Sequence, residues 1–250
     1  MKLSIMMVAY NSETYIAQAI QSILSQSNGL GVELIVIDDG STDHTGDMLD
    51  ELAAHHRNIR VKHTKNQGVT RARNEALRAL APDTDLVSFL DSDDLVPQGR
   101  YARDITLFNQ QPELQIVFGN TILFREPAED QSGPAAGSQT YMVRGIQLAA
   151  GTYRYKFIQQ VGEFDTSFVQ AEDMDFMLRM FEHSPRYHII PEPRLFYRRH
   201  ESNMTAETGQ LRRDFSRALM MSIKRRKAGS MTSYPADLFD AQDMFKAVQW

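Results

Sequence analysis

Four strand-like runs, each closing on a polar cluster and separated by stretches of helical periodicity, constrain this chain more than any other feature. Lys2 to Ala9 closes on Tyr10-Asn11, and Glu33 to Asp38 ends in the cluster Asp38-Asp39-Gly40-Ser41. Asn58 to His63 is followed by Asn66-Gln67-Gly68, and Asp85 to Leu90 by Asp91-Ser-Asp-Asp94. Length and β-branched content read these runs as strands, the apolar ones buried on both faces. Between them Ile16, Ala19, Ile20, Ile23 and Leu24, then Met48, Leu49 and Leu52, then Ala72, Ala76, Leu77 and Leu80 recur at helical spacing. Asn11 and Ser12 stand where helix caps belong. Such alternation predicts an α/β fold of parallel βαβ units with helices on both sheet faces. In open sheets of this kind ligands bind beyond the carboxyl ends of the strands, so all four clusters should meet at one edge.

The pattern changes after about residue 95. A helix is expected near Tyr101 to Phe108, a strand over Gln115 to Phe124, and a mobile loop over the Gly/Pro/Ser-rich segment Glu126 to Gln139. A helix over Ala171 to Glu182, a short strand Tyr187 to Ile190 and helix from about 206 follow. In the last of these Leu211, Phe215, Leu219 and Ile223 form an apolar stripe flanked by Arg212, Arg213, Arg217 and Lys224-Arg-Arg-Lys227. The basic helix 211–227 suits packing on the domain with a solvated basic face, a homodimer contact, or peripheral contact with an anionic membrane. Phe239, Phe245, Val248 and Trp250 suggest that the tail docks.

At 250 residues the chain can bury a large core, and its net charge of −5 argues against a nucleic-acid partner. Without cysteine it has no disulfide or zinc–thiolate chemistry. No apolar run is long enough to span a bilayer, and the first strand begins so near Met1 that no signal peptide is expected, so the expected address is cytoplasmic. Asn203-Met-Thr205 then matches a glycosylation sequon only by coincidence.

Asp91, Asp93 and Asp94 repel one another unless something positive lies between them. A hard divalent cation is one answer, and a polar turn capping a helix near Pro97 is the other. Tyr10 offers a ring face to a flat base, Asp38 or Asp39 can accept hydrogen bonds from base or ribose, and Arg73 can reach a phosphate. Neither G-x-x-x-x-G-K-[ST] nor G-x-G-x-x-G follows the first strand, which disfavours a P-loop nucleotidase and a Rossmann dehydrogenase.

Val-Ala-Tyr-Asn11, Ile-Asp-Asp-Gly-Ser-Thr-Asp43, Asn-Gln-Gly68, Ala-Arg-Asn74 and Phe-Leu-Asp-Ser-Asp-Asp94 are followed by Gly-Glu-Phe-Asp165, Ala-Glu-Asp-Met-Asp-Phe176 and Tyr-Arg-Arg-His200. In this order they resemble the family 2 glycosyltransferases with the GT-A fold, over residues 1 to about 205. The resemblance implies a domain over 1–205, with a donor-binding half of about 1–95 and an acceptor and catalytic half of about 96–205. A helical C-terminal extension, 206–250, would follow it. It also implies a nucleotide-sugar donor, a UDP-sugar first, and a saccharide or lipid-linked saccharide acceptor.

Carried over by residue, the resemblance puts Tyr10 on the base and Asp38 and Asp39 at base or ribose. It makes Asp91 and Asp93 the D-x-D pair, Asp93 being the direct ligand of Mn²⁺ or Mg²⁺, and leaves Asp94 to cap a helix. Arg73 takes the family's basic position, and His200 closes over diphosphate or metal beside Arg198 and Arg199. Asp173 becomes the general base of an inverting transfer. Residue types alone also allow Glu172 and Asp173 to be acids favoured in a helix's first turn, and helical geometry turns Glu172 and Asp175 away from Asp173. The common Gly-Gly-Phe-Asp reads Gly162-Glu-Phe-Asp165 here, adding a negative charge, and residues 126–152 match no motif. Two rivals stand: a nucleotidyltransferase, which should carry a Gly-rich basic loop where Ala9-Tyr-Asn-Ser12 stands, and a silent nucleotide-sugar-binding relative.

Overall fold

The computed structural model describes residues 1–250 except 28, 131, 144–146, 202, 204–207 and 229–250. The tail aromatics Phe239, Phe245 and Trp250 therefore lie outside the described residues. The first half runs β1 (Lys2–Ala9), α1 (Ile16–Leu24), β2 (Gly31–Asp38), α2 (Thr45–His55), β3 (Ile59–His63), α3 (Val69–Arg78) and β4 (Leu86–Phe89). All four strands are parallel, with β1 between β2 and β4 and with β3 outside β2. The chain thus leaves β1 toward one side and returns to its other side at β4, so strand order reverses there.

Alternation along β1 and β2 explains the two layers. Leu3, Ile5, Met7, Leu34 and Val36 pack on one side with Ile16, Ile20 and Ile23 of α1 and Leu49 of α2. Met6, Ile35 and Ile37 pack on the other with Ala72 and Ala76 of α3. Each such fully buried aliphatic side chain contributes about 1.5–3 kcal/mol.

The second half adds α4 (Arg100–Gln110), β5 (Ile116–Phe124), β6 (Thr140–Val143), a 3₁₀ turn at Leu148–Ala150, β7 (Thr152–Arg154), α5 (Tyr155–Val161), α6 (Glu172–Glu182), β8 (Tyr187–Arg198) and α7 (Thr208–Ala228). β7 joins β4 antiparallel, β5 runs antiparallel to β7 and β6, and β8 runs parallel to β5, completing an eight-stranded sheet. Here the core contains charge. Arg100, Asp104 and Arg194 are fully buried; both arginines reach backbone carbonyls of the 149–151 turn, and Asp104 accepts from Arg194 and from Thr152 Oγ1. Burial pulls the Arg100 pKa down, and the nearby Arg194 charge adds to that.

Several expectations need correction. α1 is not capped by Asn11 or Ser12, because it begins only at Ile16 and has no side-chain cap. β8 does not stop at Ile190. It continues through Pro191 and Pro193, which tolerate strand structure at irregularities, and its register against β5 shifts around Asn120. Gly119 makes that approach feasible, since a Cβ there would lie 2.1 Å from the Ile190 carbonyl oxygen. The apolar stripe of the last helix does not face the core as a unit. Asp214, Ala218 and Ser222 are buried instead, while Leu219, Met220 and Ile223 are exposed. Among the described residues no helix is long and apolar enough to cross a membrane.

Candidate active site

The loops after β1 and β4 meet where strand order reverses. Asn11, held at φ 48°, accepts the Thr42 N–H at 2.8 Å and donates its own N–H to Ser41 Oγ. Ser12 Oγ and Ser92 Oγ lie 2.7 Å apart. These links tie the loops after β1, β2 and β4 into one rim, on which Tyr10 stands 47% exposed.

Asp38 and Asp39 do not offer free oxygens to that rim. Asp38 accepts the Ser41 N–H at 3.0 Å and lies 2.8 Å from His63 Nδ1. Asp39 accepts the Gln67 and Gly68 N–H groups, the latter at 2.8 Å, and the Thr64 hydroxyl. Both are buried. Their oxygens thus also hold the loops after β2 and β3 in place.

The end of β4 is different. Asp91 receives Arg73 Nη2 at 2.9 Å, and Arg73 Nη1 reaches Glu172 at the start of α6. Burial works against the Arg73 charge, yet Glu172, Asp91 and Asp173 outweigh it and hold the guanidinium above the usual arginine value. Burial also pushes Glu172 up to about 7, opposed by Arg73 and reinforced by Asp173. Glu172, at the start of α6 after a left-handed Ala171 (φ 56°), is buried on Arg73. Asp173 is partly exposed beside it, with Oδ1 on the Met174 N–H at 2.7 Å. Asp175 faces inward to Arg179 and Arg225.

Asp93 lies 3.0 Å from His200 Nε2, and the Asn203 amide bonds both Asp93 and the His200 backbone N–H. The Tyr15 ring stacks on the His200 imidazole with centroids 4.5 Å apart. Tyr15 and Asn203 were not anticipated as site residues. The amide of Asn203 is buried and engaged, which removes the sequon reading on structural grounds. Asp94 is not a helix cap: it is fully buried and accepts the Arg198 N–H at 2.9 Å, tying the turn to β8. Arg198 is likewise committed, to the Asp93 carbonyl and to Gln18. Glu163, the extra acid of the Gly-Glu-Phe-Asp segment, is neutralised by Arg78 of α3, with Nε at 2.8 Å.

The crowding of negative charge acts on the carboxyl groups themselves. Burial, reinforced by Asp93 and Asp91, pushes the Asp94 carboxyl well above the usual range. Burial also raises Asp91, against the pull of Arg73, although its side chain is 43% exposed and solvent tempers the effect. Among the described residues no three acidic or imidazole groups enclose an ion by themselves. Asp93 and His200, 3.0 Å apart, offer one carboxylate and one imidazole, and a Mg²⁺-type ion needs only one or two protein carboxylates when phosphate oxygens and water complete its shell.

A family model described as Glycosyl transferase family 2 matches residues 4–171, more than half of the chain. The chain belongs to that family. It is 27% identical over 221 residues to the uncharacterized glycosyltransferase EpsJ of Bacillus subtilis (strain 168), covering 81% of this chain and 62% of EpsJ. It is 26% identical over 211 residues to the minor teichoic acid biosynthesis protein GgaA of the same organism, covering 78% of this chain and 47% of GgaA. The chain thus spans only about half to three fifths of these relatives. The fold is similar to that of S. aureus TarS 1–349 in complex with UDP-GlcNAc, with a TM-score of 0.71 at 19% identity, covering 93% of this chain and 68% of TarS 1–349. It is also similar to the mannosyltransferase PcManGT of Pyrobaculum calidifontis in complex with GDP-Man and Mn²⁺, with a TM-score of 0.70 at 16% identity, covering 94% and 66%.

Proposed function

We propose that the chain is a metal-dependent, inverting glycosyltransferase that moves a sugar from a nucleotide sugar, a UDP-sugar first, to a hydroxyl of a glycan or lipid-linked saccharide. The observation that carries this reading is the joined cluster at the reversal point, in which Arg73 links Asp91 to Glu172 beside the partly exposed Asp173. Tyr10 packs on the base from the rim, while Asp38 and Asp39 fix the loops beneath it. Asp173 takes the proton of the acceptor hydroxyl. The freed oxygen attacks the anomeric carbon, and the nucleotide diphosphate leaves with the bonding electron pair from the opposite face. Mn²⁺ or Mg²⁺ held by Asp93, with Asp91 and His200 beside it, would neutralise charge on the departing diphosphate. Family membership supports inversion and nucleotide-sugar use.

A panel of UDP- and GDP-sugars with Mn²⁺ should release nucleotide diphosphate with at least one donor. Asp173→Asn should slow that release about 10²- to 10⁴-fold. No release with any donor, or an Asp173→Asn rate equal to wild type, contradicts the reading.

The outer face of α7 supports peripheral attachment at the cytoplasmic face of an anionic membrane. Exposed Leu219, Met220 and Ile223 lie among exposed Arg212, Arg213, Lys224 and Lys227, and the only acid of α7, Asp214, is buried. Of the chain's 27 basic and 32 acidic residues, 20 and 31 lie outside α7, so the rest carries a net −11. Sedimentation with anionic but not neutral vesicles is expected. Failure to bind either removes the membrane reading, and a dimer that Leu219→Arg dissociates would assign the face to a second copy.

A further inference from the structure

Two helices, α3 and α7, hold the segment between α5 and α6. From α3, Thr70 Oγ1 donates to the Phe168 carbonyl at 2.9 Å, and the Asn74 amide pairs with both backbone groups of Phe164 at 2.8 and 3.0 Å. From α7, the buried Asp214 accepts the Gln170 N–H at 3.0 Å. Arg217 donates to the Ser167 carbonyl at 2.9 Å and lies over the Phe168 ring, 4.5 Å from its centroid. Behind these contacts Phe168, Leu178 and Ala218 form a small apolar cluster with Met174 and Met221. Arg225 completes the attachment with Asp175 at 3.1 Å and Glu182 at 2.7 Å, both on α6.

The gripped segment ends at Ala171, whose left-handed conformation is disfavoured for a residue with a Cβ and persists only where the surroundings dictate it. Gln170 is its immediate neighbour, and Glu172 and Asp173 follow directly. We propose that α7 is a brace for the active site: Asp214 and Arg217 are positioning residues that act through Gln170 and Ser167 to fix the Ala171 corner, and so the direction of Glu172 and Asp173. This rests on the reading of Asp173 as the base. A carboxylate at the end of a hydrogen-bonded chain holds the backbone N–H firmly, because charge-assisted bonds are shorter and stronger than neutral ones. The bonds that tie the β1, β2 and β4 loops into one rim do not pass through α7, and the link from the Ala171 corner to that rim is Arg73 between Glu172 and Asp91, so donor binding should respond to the brace less than turnover does.

The test uses the full chain with Asp214→Ala and Asp214→Asn. Asp214→Ala should lower kcat about 10- to 100-fold, the scale expected for a base displaced by about 1 Å, with the donor KM within about two-fold. Asp214→Asn retains an acceptor oxygen and should recover most of the loss, which a general weakening of the fold would not reproduce. If Asp214→Ala does not fold, Arg217→Gln, on an exposed side chain, should show the same split at smaller amplitude. An unchanged kcat, or a loss shared equally between kcat and donor binding, overturns the brace. If the wild-type chain transfers no sugar from any donor, the glycosyltransferase reading has failed. Amide exchange still decides the brace in that case: faster exchange at residues 170–174 in Asp214→Ala with β1 and β2 unchanged supports it, and unchanged exchange overturns it.

Discussion

At the end of β2, Asp38 and Asp39 face donors: the N–H groups of Ser41, Gln67 and Gly68, the Thr64 hydroxyl and the His63 ring. At the end of β4, Asp91, Asp93 and Asp94 raise one another's charge burden, with Arg73 on Asp91, His200 on Asp93 and Arg198 beside Asp94. The two signatures are nearly the same in sequence. Their difference lies in what the fold supplies: a carboxylate given backbone donors is satisfied and becomes structure, whereas one crowded by other carboxylates keeps a demand for positive charge. In this chain the β2 pair rests on backbone N–H groups, whereas Asp91 and Asp93 rest on the side chains of Arg73 and His200.

The largest effect that would break this comparison is on turnover. Asp93→Ala should reduce sugar transfer about 10²- to 10³-fold, the scale for losing one stabiliser of developing charge, with stability changed by less than about 1 kcal/mol. A collapse of the melting temperature would show Asp93 to be structural, like its counterparts on β2. Asp39→Ala should do the reverse. Taking the carboxylate away from the N–H groups of half-buried Gln67 and exposed Gly68 should cost roughly 1–2 kcal/mol in urea unfolding, and a loss under about 0.5 kcal/mol would mean that the loop does not depend on it.

Gly40→Ala sharpens the same point. Gly40 sits at φ 75°, and a Cβ there would meet the Asn66 nitrogen at 2.5 Å, so about 1–3 kcal/mol should be lost. Wild-type stability in this variant would show that the β2 loop has slack. The smallest effect is pH-dependent. Hydrogen bonds to Asp38, then Asp50, hold the His63 imidazole above its usual range. The folded state therefore binds that proton more tightly than the unfolded chain does. Its contribution is complete below the unfolded value near 6.5 and fades as pH rises through the higher folded value. The melting-temperature advantage of wild type over His63→Gln should shrink accordingly on going to alkaline pH. Because the side chain is 44% exposed, the advantage should also weaken with salt.

The parallel half was legible because β1 and β2 are buried on both faces, so their apolar runs are continuous and end abruptly where the site begins. β8 was cut short by Pro191 and Pro193, which only its irregular pairing with β5 accommodates. β6 and β7, at four and three residues, are too short to carry a period. The face of α7 was misread for a geometric reason. The buried line is Asp214, Ala218 and Ser222, and Phe215, Leu219 and Ile223 each follow it by one residue, about 100° around the helix. Two of its three members are polar, bonded to the Gln170 N–H and to Glu182, so no hydrophobic pattern marks it. In the site, Asp91, Asp93, Arg73, Asp173 and His200 were nameable from motif order. Glu172 was not, because its place rests on a pairing with Arg73, 99 residues away, that helical geometry cannot show.

The sharpest test of the contrast between the two strand ends is calorimetric binding of a UDP-sugar with and without Mn²⁺ to wild type, Asp38→Asn and Asp93→Ala. Wild type and Asp38→Asn should bind the donor in a Mn²⁺-dependent manner, and Asp93→Ala should lose that dependence. Retention of the full wild-type Mn²⁺ dependence by Asp93→Ala would contradict the assignment of the β4 end as the ion and diphosphate site.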